Sequence, residues 1–240
     1  MFTCPQKSRT CWGHFFPTLF FRPSGMHFWN IHTHRQGQPH SIFQAGTTTL
    51  VEEVHVSVGI HPWEIDSNWE SDFEKIKREV VHNPFVLAIG EAGVDRLKGP
   101  DITLQKDAFY AQARAAAELG IPLILHCVKA HDLILEYLKS AKNPPWIIWH
   151  GWNQKPELAR QLLPFPVFFS FGKQLLFADS NAAKWLAACP LDRVFFETDD
   201  SDLEIDSIYQ AASLILQLPE ARLAERVIAN WNAISKRKIS

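Results

Sequence analysis

Cysteine is scarce in this chain, and the four present form no pattern. Cys4, Cys11, Cys127 and Cys189 include no C-x-x-C pair. This excludes a disulfide framework and a cysteine zinc cluster, and it fits a reducing, cytoplasmic setting. The chain also lacks an uninterrupted apolar run of about 18 residues, so no transmembrane helix is expected. Charge of one sign is missing too. There are 24 Lys and Arg against 26 Asp and Glu, giving a formal net charge of -2 and a pI near 6.6. No general basic field gathers nucleic acid, so such binding must rest on a local patch or on bound metal ions. No internal repeat, low-complexity tract or linker divides the sequence, and no obligate protein partner is indicated.

What is present is core-forming material. The chain has 240 residues and is 46% hydrophobic, enough for one α/β barrel. The first 25 residues stand apart. Lys7 and Arg9 precede CWGHFFPTLFF, which superficially suggests a signal peptide. His14 and Pro17 interrupt the apolar stretch, no small-residue cleavage site follows, and Met26 stands directly before the first apolar run. The expected organisation is a poorly ordered extension over 1–25 and a single barrel domain over 26–240.

Short apolar runs alternate with helical patterns along that barrel. HFWNIH reads as the first strand. VHVSVGIHPW (54–63) precedes a polar helix around 68–81, and FVLAIGEAGVD (85–95) precedes a helix near 101–119. IPLILHC (121–127), WIIWHGW (146–152), PVFFSFG (166–172) and RVFFETD (193–199) follow, each leading into a helical segment. The last of these leads to two, near 205–217 and 220–236. Such alternation predicts βαβ units and a parallel sheet. SIFQAGT (41–47) supplies an eighth strand. The expected fold is a TIM-type (β/α)8 barrel. Only a handful of residues separate the first three strands, whereas a parallel crossover normally needs a dozen or more. The first one or two helices are therefore expected to be shortened or missing.

Side chains that bind divalent metals stand where these runs end. His32 and His34 close the first. Residues two apart on a strand point the same way, so both imidazoles face one side. Glu91 closes FVLAIGE, where Gly90 and Gly93 let the backbone turn, and its two oxygens can bridge two ions. His126 closes PLILH and His150 closes WIIWH. Asp199 closes RVFFETD and can both bind a metal and take a proton from an attacking water. Glu197, two residues earlier, is read as a deeper group that orients a ligand histidine. Asp95 is read as a brace for its loop, and Asp200 and Asp202 as solvated loop acids. Cys127 points away from His126 with no base on its face, which argues against a nucleophilic role. His61, in GIHPW, is a candidate substrate contact or a loop cap. A mixed His, Glu and Asp set suits Zn, Mn, Fe, Co or Ni, and Mg where waters complete the shell. Polar ligands at the C-terminal ends of several strands are how a barrel builds a metal site.

The segments NIHTH, VGIHPW, AIGEAGVD, the Gln105–Ala117 helix, GIPLILHC, IIWHGW, FFSFG and FFETD together resemble the TatD family of metal-dependent hydrolases. The resemblance runs from about Met26 to Asn232, in the family's order. It implies that His32, His34, Glu91 and Asp199 hold one ion, and that Glu91, His126 and His150 hold a second. It further implies that His61 contacts substrate and that the reaction is phosphodiester hydrolysis, typically of DNA. Mg, Zn or Mn are the expected ions. Three features depart from the family pattern. Val128 stands where an arginine is usual, with Lys129 one position off as a replacement charge. SDLEID replaces a proline-bearing segment after FFETD, and the segment between His34 and His61 is cut down. The expected activity is a two-metal deoxyribonuclease acting on DNA or a small phosphoester. One alternative keeps the metal centre and hydrolyses a small ester, lactone, amide or phosphoester. The other is a barrel that binds metal or a partner without turnover. The basic candidates near the pocket are Arg35, Lys98, Lys129 and Lys173.

Overall fold

The computed structural model describes residues 27–47 and 53–240. The extension expected over 1–25 lies outside the described residues. Eight strands run in sequence order around one sheet: β1 Asn30–Thr33, β2 Ser41–Gly46, β3 Val56–Val58, β4 Val86–Asp95, β5 Leu123–Val128, β6 Ile147–Trp149, β7 Val167–Phe171 and β8 Val194–Phe196. Every neighbouring pair is parallel. The helices are α1 Trp69–His82, α2 Ile102–Leu119, α3 His131–Ser140, α4 Pro156–Leu162, α5 Asn181–Leu186, α6 Ile205–Leu216 and α7 Glu220–Ile234. This is a (β/α)8 barrel, as the alternation predicts.

The barrel closes between β8 and β1 at a polar seam. Asp199 N–H donates to His32 O at 3.0 Å, and His34 N–H donates to Asp199 O at 3.1 Å. Below them the Asn30 amide donates to Thr198 Oγ1 at 2.7 Å and accepts from Thr198 N–H at 3.0 Å. Asn30, Thr33 and Thr198 are all buried. In that setting an unmade hydrogen bond costs about 1–3 kcal/mol, so the seam is specified by pairing as well as by packing. The residues that join first strand to last are also candidate ligands.

The N-terminal quarter is reduced, as expected. β1 and β2 are joined by residues 34–40, which hold turns and no helix. The next link, 47–55, shows no helix among its described residues. The first helix among the described residues follows β3. Elsewhere an aromatic layer fills the space between barrel and helices. Trp149 packs edge-on to Trp152 at 5.1 Å, Trp152 to Phe169 at 4.8 Å, and Phe169 to Trp185 at 5.3 Å. Edge-to-face contact suits the ring quadrupole. No helix among the described residues is long and apolar enough to cross a membrane.

One boundary differs from the sequence reading. Glu91 does not end its strand, because β4 continues through Asp95 and every residue from Val86 to Asp95 is buried. The pairing with β5 is irregular between Ile89 and Ala92, so Glu91 stands on a bulge. Gly90 and Gly93 therefore do not make a turn at a strand end. They let two backbones approach. A Cβ on Gly93 would lie 1.8 Å from the carbonyl oxygen of His126, and one on Gly90 would lie 2.4 Å from that of Ile124. Gly93→Ala should therefore destabilise the fold by about 3 kcal/mol or more, since backbone rather than a side chain must move. Denaturant unfolding measures this. A loss under about 1 kcal/mol would show that the two strands can part without cost.

Candidate metal centre

Six candidate ligands, on or just past five strands, gather around one of their number, the Glu91 carboxylate. Glu91 sits on the β4 bulge with only 3% of its side chain exposed. Its two oxygens face different partners. Oε2 lies 3.4 Å from His32 Nε2 and 3.3 Å from His34 Nε2. Oε1 lies 2.6 Å from His126 Nδ1 and 2.8 Å from His150 Nε2. Asp199 Oδ1 is 3.6 Å from Nε2 of both His32 and His34. His32 on β1 and His34, the first residue past it, do face one side, although His34 is far more open than His32. His150 stands on a turn just past β6, its N–H donating to Leu125 O of β5 at 3.3 Å, and Asp199 stands three residues past β8 in a parallel bridge with Thr33.

His61 comes closer to this set than a substrate contact needs to be. Its Nε2 lies 3.3 Å from Glu91 Oε1 and 3.3 Å from His126 Nδ1. His61, Glu91 and His126 thus form a group able to hold an ion, as do His32, His34 and Glu91, and His32, His150 and Asp199. Glu197 is fully buried. Its Oε1 accepts from Gly151 N–H and lies 3.8 Å from His150 Nδ1. Asp95 braces its loop, accepting from Trp63 Nε1–H at 2.6 Å and Leu97 N–H at 2.8 Å, and its Oδ2 lies 3.4 Å from His126 Nε2. Asp200 is exposed, but it pairs with Lys173 at 2.7 Å rather than standing free. Cys127 is buried, and burial pushes its thiol up to about 12. Lys129 is exposed on a left-handed turn after β5.

Sequence reasoning missed the residues that hold the loops. Gln112 on α2 is fully buried, accepts from Ile60 N–H at 2.8 Å and donates to Ile60 O at 3.1 Å. It fixes the loop that carries His61. Gln105, two turns earlier on the same face, accepts from Asp95 N–H at 2.8 Å and donates to the carbonyls of Asp95, Lys98 and Pro100. Two glutamines seven apart among alanines on a buried helix face were the available signal. Trp63 was the other omission.

The electrostatics fit a cation. Burial favours the neutral form of His32, but the Asp199 and Glu91 carboxylates outweigh it and hold the imidazole at about 9. His150 is buried as well, and Glu91 and Glu197 hold it well above its ordinary value. Burial opposes the charge on Glu91. The surrounding imidazoles, His150 foremost, overcome that and hold it well below the carboxylate range. Asp199 is likewise opposed by burial and drawn down to about 2 by His32 and His150. Both ring nitrogens of His32 and Nδ1 of His150 are buried without a hydrogen-bond partner. Of these, His32 Nε2 faces both Glu91 and Asp199, and a buried, unpartnered nitrogen beside two ionised carboxylates suits a divalent cation.

The sequence model described as TatD related DNase matches residues 23–225. The chain belongs to the TatD family. It is 30% identical over 157 residues to YabD of Bacillus subtilis strain 168, named an uncharacterized metal-dependent hydrolase, covering 62% of this chain and 61% of YabD. It is 36% identical over 92 residues to the 3'-5' ssDNA/RNA exonuclease TatD of Erwinia tasmaniensis, covering 38% and 33%. The chain thus spans between a third and about three fifths of the length of these curated relatives. The crystal structure of the TatD homologue YjjV from Escherichia coli K12 superposes with a TM-score of 0.67 at 20% identity, over 77% of this chain and 78% of that one. A TatD-family hydrolase from Entamoeba histolytica gives a TM-score of 0.62 at 15% identity, over 76% and 75%. The two structural likenesses confirm the barrel fold.

Metal uptake should release protons. Below about pH 9 the metal-free site carries a proton on His32, and an entering ion must displace it. Affinity should rise at least tenfold per pH unit through the neutral range, because His32 and His150 are both held above the ordinary imidazole value by the carboxylates beside them. Zinc titration calorimetry in two buffers of different ionisation enthalpy counts the protons. A pH-independent affinity with no proton release would contradict this electrostatic picture.

Proposed function

We propose that this chain is a two-metal phosphodiesterase acting on DNA, in the manner of a TatD deoxyribonuclease. In this reading His32, His34, Glu91 and Asp199 hold one ion, and Glu91, His126 and His150 hold the other. The observation that carries it is the division of Glu91, whose Oε2 faces His32 and His34 while Oε1 faces His126 and His150. Divalent ions held there would acidify a water and neutralise charge on the attacked group.

The chain's own residues supply the rest. Asp199 is the most open acid of the site, with 28% of its side chain exposed. It is placed to accept the proton of the attacking water and pass it to solvent. Asp95 orients His126 from behind, 3.4 Å from its Nε2, while Glu197 holds the turn after His150 through Gly151 N–H and places a buried carboxylate 3.8 Å from His150 Nδ1. His61 sits at the edge of the set and offers a hydrogen bond to an oxygen of the attacked phosphate. Lys129 is an exposed cation beside β5, available to a substrate phosphate. The two described cysteines are buried free thiols, which agrees with a cytoplasmic setting.

A second reading, a small ester or phosphoester substrate, has one observation behind it. Arg35 pairs with Glu204 at 3.2 Å, Arg96 with Asp132 at 2.6 Å, and Lys173 with Asp200 at 2.7 Å. Cations spent in such pairs attract a polyanion weakly.

Glu91→Gln keeps the size and removes the shared charge. Loss of several kcal/mol of charge stabilisation corresponds to a fall in turnover of about a thousandfold or more, with the circular dichroism of the wild type retained. A panel of single-stranded DNA, bis(p-nitrophenyl) phosphate and p-nitrophenyl acetate, with and without chelator, checks both readings. Chelator-sensitive cleavage of DNA supports the first, and cleavage of the acetate alone supports the second. Unchanged turnover in the variant would remove Glu91 from the centre of the mechanism.

A further inference from the structure

The rim of the site holds more cations than free positive charge. Arg35, Arg96 and Lys173 are each clamped to a carboxylate. Lys98 is not. Its Nζ lies 3.4 Å from the centre of the Trp63 ring, and it makes no ion pair among the described residues. An ammonium on an indole face keeps its full charge, because the ring is neutral.

That seat is fixed to the metal centre. Trp63 donates Nε1–H to Asp95 at 2.6 Å, and its ring centre lies 4.5 Å from that of His61 and 5.6 Å from that of His126. Asp95 Oδ2 in turn is 3.4 Å from His126 Nε2. The backbone is held as well, since Gln105 Nε2–H donates to Lys98 O at 3.2 Å. A free lysine loses up to about 2 kcal/mol of rotamer entropy when it grips an anion. One already resting on a ring loses less.

We propose that Lys98, seated on Trp63, is a specificity-determining residue that holds a phosphate of the substrate next to the one under attack. The proposal rests on the phosphodiesterase reading above. It names the substrate class as a chain of two or more phosphodiesters, because an ester with one phosphate has nothing to offer a cation outside the metal centre. It also assigns to Lys98 the part the sequence suggested for Lys129, which has no comparable seat.

The test compares Lys98→Met with Lys139→Met, a control of equal charge on the exposed end of α3. Binding of a fluorescein-labelled, single-stranded deoxythymidine oligonucleotide is followed by anisotropy in EDTA, where nothing is cleaved. Lys98→Met should weaken binding about five- to tenfold and reduce the slope of log Kd against log salt by about 0.7, the value of one phosphate contact on a single strand. Lys139→Met should move neither. Trp63→Leu should weaken binding to a similar degree, and adding Lys98→Met to it should change little. With the metal-loaded enzyme, the ratio of kcat/KM for the oligonucleotide to that for bis(p-nitrophenyl) phosphate should fall by the same factor in Lys98→Met. Equal binding by the two lysine variants, an unchanged salt slope, or a wild-type protein that does not bind the oligonucleotide would each overturn the proposal. Failure of the wild type to cleave any diester would instead strike the phosphodiesterase reading, and the binding comparison would still decide Lys98.

Discussion

The structure depends on one buried carboxylate. Glu91 is ionised at the centre of the barrel mouth with almost no solvent, and a lone charge there would be costly. Five imidazoles make it tolerable, His32 and His34 on one oxygen and His61, His126 and His150 on or beside the other. Those imidazoles repel one another once protonated, so the arrangement is balanced by carboxylates or by a cation. Much else follows from placing that group. The bulge in β4 aims it, and two glycines let β4 sit against β5 closely enough to do so.

The barrel's closure serves the same end. His32, His34 and Asp199 exchange the backbone hydrogen bonds that join β1 to β8. A barrel that failed to close would separate Asp199 from the two histidines it faces. Stability and site geometry are therefore coupled at this seam, and the buried Asn30–Thr198 pair reinforces both. The loops after β3 and β4 are held from outside by Gln112 and Gln105. Most of the cations at the mouth are neutralised in place, and that shifts recognition from broad electrostatic attraction toward few, fixed contacts.

Much of this was legible in the sequence. Apolar runs closed by His32, His126, His150 and Asp199 mark strands and candidate ligands together, because a polar side chain at or just past the C-terminal end of a barrel strand faces the mouth. The eroded N-terminal quarter was legible from spacing alone. What escaped reading was set by tertiary contact. EAGVD looks like a turn, yet it is buried strand, since its carboxylates point into a polar centre rather than into water. His61 follows its strand by too few residues to reveal that its ring reaches Glu91. Asp200 looked solvated because Lys173, its partner, lies across a helix-bearing connection. Arg35 and Glu204 are farther apart still and meet only at the seam. Trp63 carried no signal by itself, because an exposed aromatic is ordinary until its neighbours are known.

The most direct test of the account is to locate the ions. Crystals grown with Mn or Zn and measured at the metal absorption edge give anomalous difference peaks that need no assumption about activity. The account predicts two peaks, one on each side of the Glu91 carboxylate, the first against His32, His34 and Asp199 and the second against His126 and His150. A single peak away from Glu91, or two peaks that do not share it, would contradict the claim on which the mechanism rests.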